Sequence, residues 1–264
     1  MSRIREKLTK GDGFIPFVTA GDPNLKTSLA ICHKLAELGA DVIELGVPFS
    51  DPMADGPTIQ RSSQRALDKG VTLGDVLKLA AEFRKQSDVP LVLFSYFNPI
   101  LQFGIDEFAV IASSTGINGL LLTDVIEYEA ARISAKLAKH EIDLISLVAP
   151  TTTDERLAAI CANARGFIYA VSRAGVTGAQ NETSSSAEIL VERVRKFTEL
   201  PIAVGFGIST AEQIAEVWKY ADAAVVGSAI VNVIEKAERG HEIADVEAFV
   251  RQLLPTVANG GLEN

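Results

Sequence analysis

The sequence predicts an α/β protein of the (β/α)8 TIM-barrel class, and three observations carry that prediction. Eight short runs rich in Val, Ile, Leu and Phe recur without clean polar alternation, as expected of parallel strands covered on both faces. Each run is followed by Gly, Pro or polar punctuation and then by a helical period. The 264 residues show no composition break that would mark a linker. One barrel domain spanning 1–264 is therefore expected, near the size of about 250 residues typical of such barrels.

In chain order the strand runs are Gly13–Val18, Asp41–Leu45, Pro90–Tyr96, Gly119–Thr123, Asp143–Val148, Gly166–Val171, Pro201–Gly205 and Ala223–Val226. Between them, Leu25, Leu29, Cys32 and Ala36 share one helix face, as do Leu190, Val194 and Phe197, and Ile214, Val217 and Trp218. Thr72 with Asp75, Ser185 with Glu188, and Ser209 with Glu212 have the spacing of capping boxes, which would start three of the helices. A doubly wound open sheet is the alternative. Its glycine fingerprint is missing, because Thr19-Ala20-Gly21-Asp22-Pro23 after the first strand is not G-x-G-x-x-G.

Two departures from a regular barrel carry information. The long connection between the second and third strands holds extra helical patterns at Thr58–Asp68 and Leu73–Lys85. After the sixth strand, the polar, glycine-containing stretch Ser172–Ser186 reads as a mobile active-site lid.

Bulk properties exclude several classes of function. With 47% hydrophobic and 22% charged residues the chain has the makings of a large core. A net charge of −9 offers no basic stripe for a nucleic acid. Cys32 and Cys161 fall on apolar helix faces and read as small buried hydrophobes, consistent with a reducing compartment. Met1–Lys10 has no apolar signal core, and no stretch approaches the roughly 20 apolar residues of a membrane span. A soluble, cytoplasmic protein is expected.

In a barrel of this class the chemistry sits at the C-terminal ends of the strands. Glu44 interrupts the apolar run Val42-Ile43-Glu44-Leu45-Gly46-Val47-Pro48-Phe49, where a charged side chain must be partly desolvated unless it faces the barrel mouth, and a buried carboxyl has a raised pKa suited to giving and taking a proton. An ion-paired structural carboxylate is disfavoured, since the run holds no Arg or Lys. The loop continues with Asp51 and Asp55 between prolines, and spacing does not separate these two as functional or merely turn-capping. Gly205-Phe206-Gly207-Ile208-Ser209, Val226-Gly227-Ser228-Ala229 and Gly175-Val176-Thr177-Gly178 end successive strands, and together they point to backbone amides gripping a phosphate. His33, His140 and His241 avoid the strand ends, as do the lysines, so metal-dependent and Schiff-base aldolases are disfavoured. Carboxylate-driven proton transfer on a phosphorylated substrate remains.

Long motifs then resemble a known family. Pro16-Phe17-Val18-Thr19-Ala20-Gly21-Asp22-Pro23, Glu44–Pro52 with Ala54-Asp55-Gly56-Pro57, Tyr96-Phe97-Asn98-Pro99-Ile100, Ser172–Gly178 and Gly205-Phe206-Gly207-Ile208 are similar to those of tryptophan synthase alpha subunits, over about Phe14 to Ala229. The resemblance implies a lyase that splits indole-3-glycerol phosphate into indole and D-glyceraldehyde 3-phosphate. It implies Glu44 as acid/base at indole C3 and at the glycerol hydroxyl, Asp55 on the indole N–H, and Tyr169 beside the reacting chain. Gly178, Gly207, Gly227 and Ser228 would cradle the phosphate, and Phe17, Ile59, Leu121, Thr177 and Phe206 would line the indole slot. The chain itself would need no cofactor, pyridoxal phosphate belonging to a beta-subunit partner in an α2β2 tetramer. Phe167 stands where a tyrosine is common, and Ile126 where the family usually has proline at the beta-subunit contact. The rival readings are another phosphate-binding barrel enzyme of amino-acid biosynthesis, a chain kept chiefly to activate the beta subunit, and a stand-alone lyase releasing free indole.

Overall fold

The computed structural model describes residues 2–171, 180–205 and 207–254. Eight parallel strands close into a barrel in sequential order, β1 (Gly13–Thr19), β2 (Ile43–Gly46), β3 (Leu91–Ser95), β4 (Gly119–Leu122), β5 (Asp143–Val148), β6 (Ile168–Val171), β7 (Ile202–Gly205) and β8 (Ala223–Val226). Each predicted apolar run holds one strand, and the expected barrel is the observed one. The trimmed ends have local causes. Asp41, expected in β2, lies before it and accepts the Phe14 N–H at 2.9 Å through its carboxylate.

The helices are α1 (Arg3–Leu8), α2 (Leu25–Glu37), α3 (Pro57–Leu67), α4 (Leu73–Arg84), α5 (Phe97–Phe103), α6 (Ile105–Ser114), α7 (Glu127–Ala138), α8 (Asp154–Asn163), α9 (Gln180–Arg195), α10 (Ala211–Trp218), α11 (Ser228–Lys236) and α12 (Glu242–Leu253). The long second connection holds α3 and α4, as the two helical patterns there predicted. Thr72 and Asp75 form the expected capping box. The box before α10 lies one residue later than expected, between Thr210 and Gln213, because the Gln213 side chain reaches the backbone N–H groups of both Ser209 and Thr210. The third expected box, Ser185 with Glu188, falls inside α9, which begins at Gln180. The expected lid Ser172–Ser186 is therefore helical from 180 onward, and residues 172–179 lie outside those described.

Alternation along the strands sorts the side chains into two cores. Outward residues such as Val18, Leu45, Leu93 and Ile202 pack against the helices. Inward residues, among them Ile15, Val42, Val92, Leu121, Ile145, Phe167, Ala203 and Val225, fill the barrel. Cys32 and Cys161 are buried in the outer core as free thiols. Burial pushes the Cys32 thiol up to about 12, so it packs as a hydrophobe. Ile4 and Leu8 of α1 belong to the inner core and close the end of the barrel where the strands begin. A closed floor leaves the opposite, C-terminal mouth as the place for a site.

Candidate active site

A cavity of about 210 Å³ opens at that mouth. Val42, Glu44 and Gly46 fall on the inward face of β2 by the two-residue alternation of a strand, which sends the one carboxyl of the run into the barrel. Glu44 is 1% exposed, and its Oε1 has no hydrogen-bond partner among the described residues. Burial pushes its carboxyl up to about 8. At neutral pH it holds a proton and can release it, the state an acid/base group needs.

Asp55 reaches the same cavity from the loop between β2 and α3. The loop is fixed by Tyr96, which follows β3: the Tyr96 hydroxyl accepts the Ala54 backbone N–H at 2.9 Å, and its ring lies against Phe49 with centroids 5.0 Å apart. Burial raises the Asp55 carboxyl to about 6, a rise that a hydrogen bond from Tyr96 limits. Just below neutrality the two carboxyls differ in protonation, with Glu44 neutral and Asp55 ionised. Asp51, the alternative to Asp55 in the sequence, does not line the cavity; it accepts the Ser50 hydroxyl at 2.5 Å.

Tyr169 lines the cavity from β6 and is buried. Its hydroxyl is held protonated by burial and by the neighbouring Glu44 and Asp55 charges. The ring fits because Gly205, at the end of β7, has no side chain; a Cβ there would run into the Tyr169 hydroxyl.

Apolar walls come from Phe17 and Ile59, as expected, and from Phe94, Ile208 and Val225. Phe17 and Phe94 meet edge to face, centroids 5.4 Å apart. Leu121 does not reach the cavity: it is fully buried in the inner core, and its register partner Phe94 supplies the wall. Phe94 had no sequence signal beyond its place near the end of β3. Thr177, Gly178 and Phe206 lie outside the described residues.

Gly207, Gly227 and Ser228 line the cavity. Two helices start there, α3 after Gly56 and α11 after Gly227, and neither N-cap makes a side-chain hydrogen bond. Uncapped amides and the positive end of the helix dipole favour an anion. Side chains cap α2, α4, α8 and α10, whereas α5, α6, α7 and α12 are uncapped like α3 and α11; among the described residues, only the uncapped ends of α3 and α11 line the cavity. Among the described residues, no three His, Cys, Asp or Glu side chains come together to hold a metal ion.

A closed α/β barrel whose mouth pairs two carboxyls of different proton affinity with amides open to an anion is an acid–base enzyme for a small anionic substrate. Residues 4–257 match the family model of the tryptophan synthase alpha chain. The chain belongs to that family. The alpha chain of Geobacter sulfurreducens is 46% identical over 243 residues, covering 91% of this chain and 92% of that one. The alpha chain of Citrifermentans bemidjiense is 44% identical, covering 98% and 99%. Among solved structures, the alpha chain from Legionella pneumophila is 35% identical with a TM-score of 0.88 over the whole of both chains. A chain of the Pyrococcus furiosus tryptophan synthase α2β2 complex is 38% identical, with a TM-score of 0.88 over 93% of this chain and 98% of that one. The reaction is the lyase reaction of the family, cleavage of indole-3-glycerol phosphate in tryptophan biosynthesis.

Proposed function

We propose that one barrel domain carries out this cleavage by proton transfer at Glu44, with Asp55 as the fixed counter-charge and no cofactor of its own. Neutral Glu44 donates its proton to indole C3, and the ring becomes an indolenine bearing positive charge at nitrogen. Asp55, ionised, holds that N–H and stabilises a charge that exists only along the reaction path. The bond from C3 to the glycerol chain then breaks. Its electrons restore the indole, the glycerol hydroxyl becomes the aldehyde of D-glyceraldehyde 3-phosphate, and the hydroxyl proton returns to Glu44. Tyr169 closes the cavity beside the reacting carbon. The amides at Gly207, Gly227 and Ser228, with Gly178, hold the phosphate, while Phe17, Ile59, Phe94, Thr177 and Phe206 flank the ring.

The observation that carries this reading is the dehydrated carboxyl of Glu44 inside the cavity, its Oε1 without a hydrogen-bond partner among the described residues. A structural carboxylate buried without a cation would be costly to keep. Used as a proton carrier, its raised pKa is its function.

The partner is a beta subunit that carries pyridoxal phosphate and consumes the indole; an α2β2 assembly is what the Pyrococcus furiosus protein is named as forming. Exposed large apolar residues support this. Met53, Leu101, Ile126 and Tyr128 are 50–88% exposed and lie on the connections after β2, β3 and β4, all at the C-terminal end of the barrel. Ile126, at the N-cap of α7, adds apolar surface where a proline is usual, and the segments Phe49–Gly56 and Ser172–Ser186 would pass the partner's state to the site. Among the described residues no helix is long and apolar enough to cross a membrane, and the compartment proposed is the cytoplasm.

The test is indole formation from indole-3-glycerol phosphate with and without a beta subunit. Indole release that the partner strongly accelerates is the expected result. No indole under either condition overturns the reading in favour of another phosphate-binding barrel reaction.

A further inference from the structure

Helices α3 and α11 lie side by side with both N-terminal ends at the cavity, Gly56, Pro57 and Thr58 from one and Gly227 and Ser228 from the other. Two rungs join them below the mouth. At the first, Thr58 Oγ1 donates to Asn232 Oδ1 at 3.3 Å. At the second, one turn further down, Glu235 accepts from Arg61 Nε and Nη2 at 2.7 Å each and from Arg65 Nη1 at 2.8 Å. Arg65 turns its remaining edge to Asp22, with Nε and Nη2 donating to the two carboxylate oxygens at 2.8 Å each. Asp22, 1% exposed, sits on the loop that leaves β1.

Charges of alternating sign thus run Asp22–Arg65–Glu235–Arg61 and bind α3, α11 and the loop after β1 to one another. Isolated ion pairs at a surface contribute little to stability. Their geometry matters more here. A planar guanidinium that meets carboxylates along two edges fixes direction as well as distance. Sliding α11 past α3 by one turn, about 5.4 Å, would break both rungs at once. The ladder therefore sets the spacing between the amide end of α11 and the start of α3, which the Asp55 loop immediately precedes.

We propose that this ladder couples the two halves of the cavity: an anion held at the amide end of α11 fixes α11, and through Glu235 and Arg65 it fixes α3 and the placement of Asp55 against the indole nitrogen. Arg61, Arg65 and Glu235 are positioning residues. The inference rests on the assignment of α11 to the phosphate and of Asp55 to the indole.

The experiment measures indole affinity for the full-length chain with and without saturating glycerol 3-phosphate, beside kcat and KM for indole-3-glycerol phosphate. In the parent chain glycerol 3-phosphate is expected to tighten indole by roughly fivefold or more, the usual lower range of coupling between sites. Glu235→Gln keeps the buried Asp22–Arg65 pair, so no buried charge is left unpaired. Its coupling ratio is expected to fall toward one, with a lower kcat. Arg61→Gln, which removes only the outer pair, should give an intermediate ratio and serves if the first variant does not fold. A ladder that were only structural would lower the melting temperature and leave the ratio intact, and an unchanged ratio in a folded variant overturns the proposal. A parent chain that cleaves substrate but shows no coupling overturns this inference alone. One that binds neither probe and forms no indole overturns the functional reading with it.

Discussion

Glu44 and Phe17 are register partners across the β1–β2 ladder, so the carboxyl that faces the cavity stands beside an aromatic ring rather than a cation. Its proton is held by dehydration and not by a counter-ion. This explains how one side chain can act as acid and then as base: with no permanent charge attached to it, Glu44 is released from its proton only when positive charge grows on the substrate.

The first prediction concerns pH and rate. Cleavage needs Glu44 protonated, with its carboxyl raised to about 8, and Asp55 ionised, with its carboxyl raised to about 6. A plot of kcat/KM against pH should therefore rise through about 6 and fall through about 8. A profile flat across both regions would remove the paired assignment.

Stability should follow the same groups with a definite sign. Between the ordinary value of 4.5 and about 8, folded Glu44 keeps a proton that the unfolded chain releases. The folded state therefore loses stability as pH rises through that window, and Asp55 adds a smaller loss between 3.8 and about 6. Urea unfolding of Glu44→Gln should show a flatter dependence and greater stability than the parent above pH 8. Parallel curves for the two proteins would contradict the buried, unpaired carboxyl.

Tyr96→Phe removes the acceptor for the Ala54 N–H and the hydrogen bond that holds the Asp55 pKa down. Turnover should fall, and the acidic limb of the rate profile should move to higher pH. An unmoved limb with normal turnover would mean that Tyr96 only packs against Phe49.

Gly46→Ala tests the close approach at the end of β2, where an added Cβ would meet Phe17 Cζ at 2.5 Å and Cε2 at 2.9 Å. The ring must shift, at a cost of about 1–3 kcal/mol in stability, and the apolar wall shifts with it. A lower melting temperature with a KM raised several-fold is expected. A normal KM would show that Phe17 does not touch substrate.

The barrel was legible in the sequence because parallel strands buried on both faces write themselves as unbroken apolar runs, and Glu44 was legible because it interrupts such a run, where Asp41 and Asp143 stand only at the start of theirs. The inner details were less so. Alternation puts Leu121 and Phe94 both inside the barrel but does not say which of them reaches the mouth, and the cavity took the larger ring. Tyr96 acts on a loop 42 residues away through its hydroxyl, a contact that no local pattern carries. The Ile4 and Leu8 pair that marks α1 is four residues apart, but six residues of helix are too short for periodicity to stand out from a polar N-terminus. The α10 cap moved by one residue because Ser209 and Thr210 compete for the same helix start, and only the reach of Gln213 decides between them.

The most direct test of the account is the rate at which Glu44→Gln cleaves indole-3-glycerol phosphate, measured on a protein whose circular dichroism matches the parent. Gln keeps the shape and burial of the side chain and removes only its ability to carry the proton. A loss on the order of 10²–10⁴ in kcat is predicted. A rate within about threefold of the parent would contradict proton transfer at Glu44.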